Sequence, residues 1–190
     1  MKKALIIILA MTMALCIGIG ATLAYLFVDT KPVTNTFKYG DINITLTESE
    51  NLDLKMIPGN TIFKDPKVTV LANSEACWLF VKIDESANFG DFMTYGIADG
   101  WTRGNGTDIP ANVYYREVEA TNDSAAPFPI LADNEVFVKG DVLKTELNAL
   151  TDTTLPTLTF TAYAVQRDNN INSAVSAWGL VKTNYLTANP

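Results

Sequence analysis

The segment GWTRGNGTD, Gly100 to Asp108, sets an indole and a guanidinium close together, Trp101 and Arg103, among glycines. Such a loop could stack a sugar or a partner protein on the indole. It could equally be a turn whose indole packs back on the core, the commoner use of a single aromatic. A second segment, DNNINS, Asp168 to Ser173, carries oxygen side chains at alternate positions, as calcium loops do. Its sixth position lacks the required glycine, and Gly179 occupies the place of the bidentate glutamate, so a strand-to-helix turn is the expectation. The carboxylate pairs Glu48/Glu50 and Glu117/Glu119 are spaced to share one face of a strand. With no neighbouring base they read as solvated edge charges.

The chain contains no histidine. That absence removes the Ser-His-Asp triad, the Cys-His pair and the HExxH zinc motif together. No catalytic residue, metal ligand set or cofactor site is expected, and the chain is read as a non-enzyme. Of the two cysteines, Cys16 lies in an apolar run near the start, and Cys77 lies in ACWLFVKI, where a buried, inert thiol is expected. Acidic residues number 21 against 14 basic, with no basic cluster after the opening lysines, which argues against nucleic acid and anionic lipid as partners.

Ala4 to Val28 carries no charged residue and follows Lys2 and Lys3. The run is long enough to span a bilayer. It also has the parts of a secretory signal: a basic start, an apolar core, and small residues at Gly18, Gly20, Ala21, Thr22 and Ala24. Thr22 and Ala24 suit the −3 and −1 positions of a cut that frees Tyr25. The expected organisation is a signal peptide at 1–24, an N-terminal segment at 25–37, and a single domain at 38–190. A retained membrane anchor is the alternative.

The remainder must supply the elements that hold these residues. Ile42, Ile44 and Leu46 alternate as a strand does, and KVTVLA and ACWLFVKIDE read as two strands joined by NSE in a short hairpin. In the second, Cys77, Leu79, Val81 and Ile83 share one face, and Trp78 and Phe80 the other, so it is predicted to be a central strand covered on both faces. Gly90 to Pro110 reads as mostly loop, VYYREVEA as a strand, TNDSAAPFPIL as a loop with two prolines, and EVFVKGD as a short strand. TLTFTAYAVQ alternates cleanly. In NINSAVSAWGLVK, Ile171, Ala174, Val175, Trp178 and Val181 fall at helical spacing, with Asn172 or Ser173 as cap; DVLKTELNAL reads as another short helix. The fold class is all-β: an antiparallel β-sandwich of jelly-roll type with a few short helices, preceded by an N-terminal signal helix.

Four stretches together, ATLAYLFVDT, VTNTFKYGDINITLTE, MIPGNTIFKDPKVTV and LTFTAYAVQ…AVSAWGL, resemble the TasA/camelysin family of exported bacterial proteins. The most specific parts are the small-residue cut followed by AY-x-x-x-D, then TNTF-x-x-G-x-[IV] leading into L-x-E, and PG-x-x-I-x-K-D-P-x-V. The resemblance implies a jelly-roll domain, cleavage by a SipW-type signal peptidase, secretion to the matrix or cell surface, and self-assembly into biofilm-matrix fibres. It implies that the freed segment inserts as a donor strand into a neighbouring subunit, which here assigns Ala24 and Tyr25 to the cut and Tyr25, Leu26, Phe27, Val28 and Val33 to donor-strand contacts. Other matrix or cell-wall components are further partners, and the membrane is met only through the signal segment. The family also carries a metallopeptidase label, for which this sequence offers no zinc ligands. The alternative function is a monomeric surface-binding module using Trp101 and Arg103.

Overall fold

The structure is a computed structural model that describes residues 41–49 and 54–186. The chain divides into two units, Met1–Lys38 and Tyr39–Pro190, and every described residue belongs to the second. The protein is mostly β, with antiparallel sheets and a few short helices. Its elements are β1 (Ile44–Thr47), β2 (Thr61–Phe63), β3 (Lys67–Val70), β4 (Cys77–Glu85), α1 (Phe89–Phe92), β5 (Met93–Ile97), β6 (Thr102–Arg103), β7 (Val113–Val118), β8 (Ala126–Pro129), β9 (Leu131–Val138), α2 (Lys144–Asn148), β10 (Leu158–Gln166) and α3 (Ala174–Val181), closed by a π-helical turn at Lys182–Leu186.

Hydrogen bonding groups the strands as β1-β3-β8, β10-β4-β7-β6 and β2-β9-β5, all antiparallel. The first and third groups are linked. β2 and β3 follow each other along one side, β9 and β8 along the other, and the register slips between Phe63↔Glu135 and Lys67↔Pro129. At the slip, Asp133 and Asn134 adopt left-handed backbone, φ 53° and 55°. Short polar side chains tolerate that conformation best. Lys64 N–H to the Asn134 carbonyl (2.7 Å) and Ile130 N–H to the Pro66 carbonyl (3.0 Å) carry the backbone bonding across the break.

β4 is the central strand and is covered on both faces, because its two alternating sets are both apolar. Cys77, Leu79, Val81 and Ile83 enter the main core with Val68, Val70, Ile130, Leu131, Val136 and Val138. Phe80, with Trp78 beside it, enters a second core under α3 with Val113, Ala177, Trp178 and Val181. Full burial of each large side chain contributes about 1.5–3 kcal/mol, so the buried residues of β4 anchor both cores. β10 pairs along the whole of β4, from Leu158↔Glu85 to Gln166↔Cys77. Its Leu158, Phe160, Ala162 and Ala164 face the main core, while Tyr163 and Val165 face the second.

α3 begins where Ser173 Oγ accepts from Ser176 N–H at 3.2 Å, a standard N-cap. Its buried stripe is Ala174, Ala177, Trp178 and Val181. Val175, expected on that stripe, is 48 % exposed; Ala177 takes the place against the sheet because a small residue lets the helix approach. α2 forms as expected, with Glu146 Oε2 accepting from Leu143 N–H at 2.7 Å.

Three expectations are corrected. β3 and β4 do not form a hairpin. NSE is a crossover between sheets, turned by Asn73 at φ 62° and held by Ser74 and Thr121, whose amides each bond to the other residue at 2.9 Å. The two-proline loop contains β8. Pro127 and Pro129 fit there because among the described residues β8 is an edge strand, paired only with β3, where missing donors can face outward. The stretch read as loop from Gly90 contains β5, whose alternation is interrupted by the register shift between Tyr95 and Ile97.

Candidate functional site

The Gly100–Asp108 loop is tied down from within. Trp101 Nε1 donates to the Pro129 carbonyl at 2.8 Å, and the indole packs against the main core. Arg103 Nε donates to the Ala111 carbonyl at 2.8 Å while the residue remains exposed. Asn105 Oδ1 accepts from the amides of Thr107, Asp108 and Ile109 at 2.9, 2.9 and 3.2 Å, and Asn105 Nδ2 donates to Asp108 Oδ2 at 2.9 Å. The residue types that hinted at a binding loop thus build a self-capped turn. Of the two candidate ligand residues, Trp101 is directed to the core and Arg103 to the surface.

The DNNINS segment is likewise a turn. Asp168 Oδ1 accepts from Asn170 and Ile171 N–H at 2.7 and 2.9 Å, ahead of the Ser173 cap. Among the described residues no group of three or more His, Cys, Asp or Glu side chains could hold a metal ion. Glu117 and Glu119 do share a face, and both pair with Arg167; Nη2 lies 2.8 Å from each Glu119 oxygen. Glu48 pairs with Lys64 at 2.7 Å, and Glu50 lies outside the described residues. Cys77 is fully buried, and that burial pushes its thiol up to about 11 against a weaker downward pull from Arg167. A thiol that keeps its proton is a poor nucleophile and metal ligand.

The expected cut and donor strand, Ala24, Tyr25, Leu26, Phe27, Val28 and Val33, lie outside the described residues. Among the described residues no helix is long and apolar enough to cross a membrane.

Two features of the described unit could receive a partner. The first is the free side of β10. Among the described residues this strand pairs with β4 alone, and its nine residues, LTFTAYAVQ, include no charge, proline or glycine. Edge strands normally carry such interruptions to prevent pairing with other chains. The second is a cavity of about 390 Å³ at the Leu158 end of β10, lined by Leu54, Met56, Ile62, Phe89, Met93, Val136, Leu155 and Pro156, with Lys64 as its charged residue.

A third feature escaped the residue-type reading. Arg116 projects from β7 on the same face as Val118 and Tyr114, toward the main core. Its guanidinium carbon lies 4.1 Å from the centre of the Phe128 ring and 5.5 Å from that of Trp101. The readable signal was VYYREV itself, where strand alternation puts an arginine among apolar partners.

No family model matches the chain, and no curated protein or solved structure matches it.

Proposed function

We propose that this chain is a secreted structural protein similar to the TasA/camelysin proteins, a subunit of biofilm-matrix or cell-surface fibres. In this reading a SipW-type peptidase cuts after Ala24. Residues 25–37 of one copy then add as a strand to a neighbour, and the head-to-tail contact propagates because it does not close on itself. The observation that carries the reading is the edge of β10, a nine-residue strand that among the described residues pairs only with β4 and carries no charge, proline or glycine against an added strand. The apolar cavity at its Leu158 end offers room for side chains such as Leu26, Phe27 and Val28. Pro32 has no donor and marks where the added strand bends. The linked pairing of β2-β3 with β9-β8 fits one layer of a jelly-roll sandwich, with β10-β4-β7-β6 as the other. The protein acts by assembly, with no catalytic residue, cofactor or nucleic-acid partner.

The test has two arms. N-terminal sequencing of protein from culture medium should begin at Tyr25, and electron microscopy of that protein should show fibres. Deletion of residues 25–33, or Thr159→Lys with Thr161→Lys on β10, should leave a folded monomer and no fibres. Fibres of unchanged abundance from both variants would overturn the strand-addition reading. A chain found only in membranes and beginning at Met1 would overturn the released subunit.

A further inference from the structure

We propose that Arg116 is a carboxylate-binding site, formed where β6, β7 and β8 meet and separate from the strand edge. Three observations lead to it. The first is stacking. Phe128 and Trp101 lie against the guanidinium at 4.1 and 5.5 Å, and Gly100 packs beside it so closely that a Cβ there would stand 3.1 and 3.2 Å from the two Nη atoms. Gly100 is in left-handed backbone, φ +85°, so glycine both permits the turn and spares the space.

The second observation is what stacking leaves over. A guanidinium has five N–H donors in its plane and no acceptor. Among the described residues Arg116 donates none of them to a protein acceptor, and its Nε is buried without a partner. Arg167, by contrast, pairs with Glu117, on the opposite face of β7, and with Glu119 just beyond the strand. β7 thus places its acids where they cannot reach Arg116. The buried Nε–H is the donor whose unmatched state is costly, and the Nη groups beside it are without a protein acceptor among the described residues.

The third is chemistry. Burial lowers the Arg116 pKa, with no carboxylate opposing the effect, yet the guanidinium stays charged at neutral pH. A planar oxyanion that offers two oxygens to a fixed pair of N–H groups is the complement, and a carboxylate has that geometry. A spherical anion such as chloride offers no second oxygen to match the fork. Stacking alone accounts for the faces of the guanidinium and leaves its N–H edge unexplained.

The carboxylate could belong to a soluble ligand or to an acidic side chain of a second copy of this acidic chain. The experiment follows the Arg116 Nε–H resonance of the cleaved or truncated protein, residues 25–190, by NMR. Acetate is titrated in against sodium chloride at matched ionic strength. The expected result is a saturable shift with acetate and none with chloride; in Arg116→Lys, which keeps the charge but loses the fork and its Nε–H, acetate binding read in both proteins from the neighbouring Trp101 indole Nε1–H should weaken at least tenfold. If a second copy supplies the group, the resonance shifts with protein concentration alone, sedimentation shows matching association, and acetate reverses both. Because the titration reads the wild-type protein, a variant that fails to fold does not blunt it. A resonance that moves equally with acetate and chloride, or not at all with acetate and with protein concentration, overturns the proposal.

Discussion

Gly104 and Pro110 approach so closely that no methyl group fits between them: a Cβ on Gly104 would overlap the Pro110 carbonyl oxygen and stand 2.7 Å from that of Ile109. The contact is backbone against backbone, so no rotamer change relieves it. Gly104 N–H also bonds to the Val113 carbonyl at 2.8 Å, which fixes the loop on the start of β7. Gly104→Ala should therefore lower stability by about 3 kcal/mol, the upper end of the usual overpacking cost. Urea unfolding monitored by tryptophan fluorescence reads this directly, and a midpoint shift worth less than about 0.5 kcal/mol, the scale of a neutral surface change, would refute the close approach.

The second core depends on Trp178. Its ring centre is 5.3 Å from that of Phe80 and 5.9 Å from that of Tyr163, so one helix side chain touches both β4 and β10. Trp178→Ala should cost about 3–5 kcal/mol, as large aromatic deletions in cores do. Trp178→Phe should cost clearly less, because the indole Nε1 is buried with no acceptor and its removal relieves an orphaned donor. Equal losses from the two substitutions would show that the indole N–H has a partner after all.

How much of this was legible in the sequence depended on whether local pattern or distant pairing decided each element. ACWLFVKIDE announced a doubly covered strand because both of its alternating sets are apolar, and β4 has both cores. SAVSAWGLV announced a capped helix for the same local reason, with only Val175 misplaced. The NSE link carried no such information. A three-residue connection suits a hairpin, but β3 pairs with β1 and β8, a choice made by residues far along the chain. β8 was hidden by its prolines, which are tolerated only because of its edge position. Trp101 and Arg103 drew attention by residue type, while the arginine with unmatched donors, Arg116, sat inside an ordinary strand pattern.

Cys77 gives the fold an alkaline limit. Its ordinary thiol pKa of 9.0 rises to about 11 on burial. The folded protein keeps this proton where the unfolded chain loses it. The resulting stability is whole below pH 9 and is lost as pH rises from there through 11. Tyr95 works in the same direction, since burial and its hydrogen bond to Glu85 hold the phenol proton beyond its usual range. Unfolding free energy should fall across pH 9–11, and Cys77→Ala should make that fall shallower. At pH 8 a thiol-reactive dye should label Cys77 only after denaturation. Rapid labelling of the native protein would contradict the burial.

One buried hydroxyl ties together the two ends of the crossover between sheets. Thr121 Oγ1 accepts from Ser74 N–H at 2.9 Å and donates to the Leu71 carbonyl, so it bonds both ends of the turn that carries the chain from β3 to β4. Thr121→Val keeps the shape and removes the oxygen. The Ser74 amide then loses its partner in a buried place, at a cost of about 1–3 kcal/mol for an unsatisfied group, while the Leu71 carbonyl, at a more exposed residue, loses a bond that water can replace. Thr121→Ser keeps the oxygen, gives up only a methyl, and should recover most of the loss. Hydrogen exchange distinguishes this from simple repacking: the Ser74 amide should exchange far faster in Thr121→Val and near the wild-type rate in Thr121→Ser. If both variants protect Ser74 equally, the hydroxyl is not what holds the crossover, and the backbone bond from Thr121 N–H to the Ser74 carbonyl must suffice.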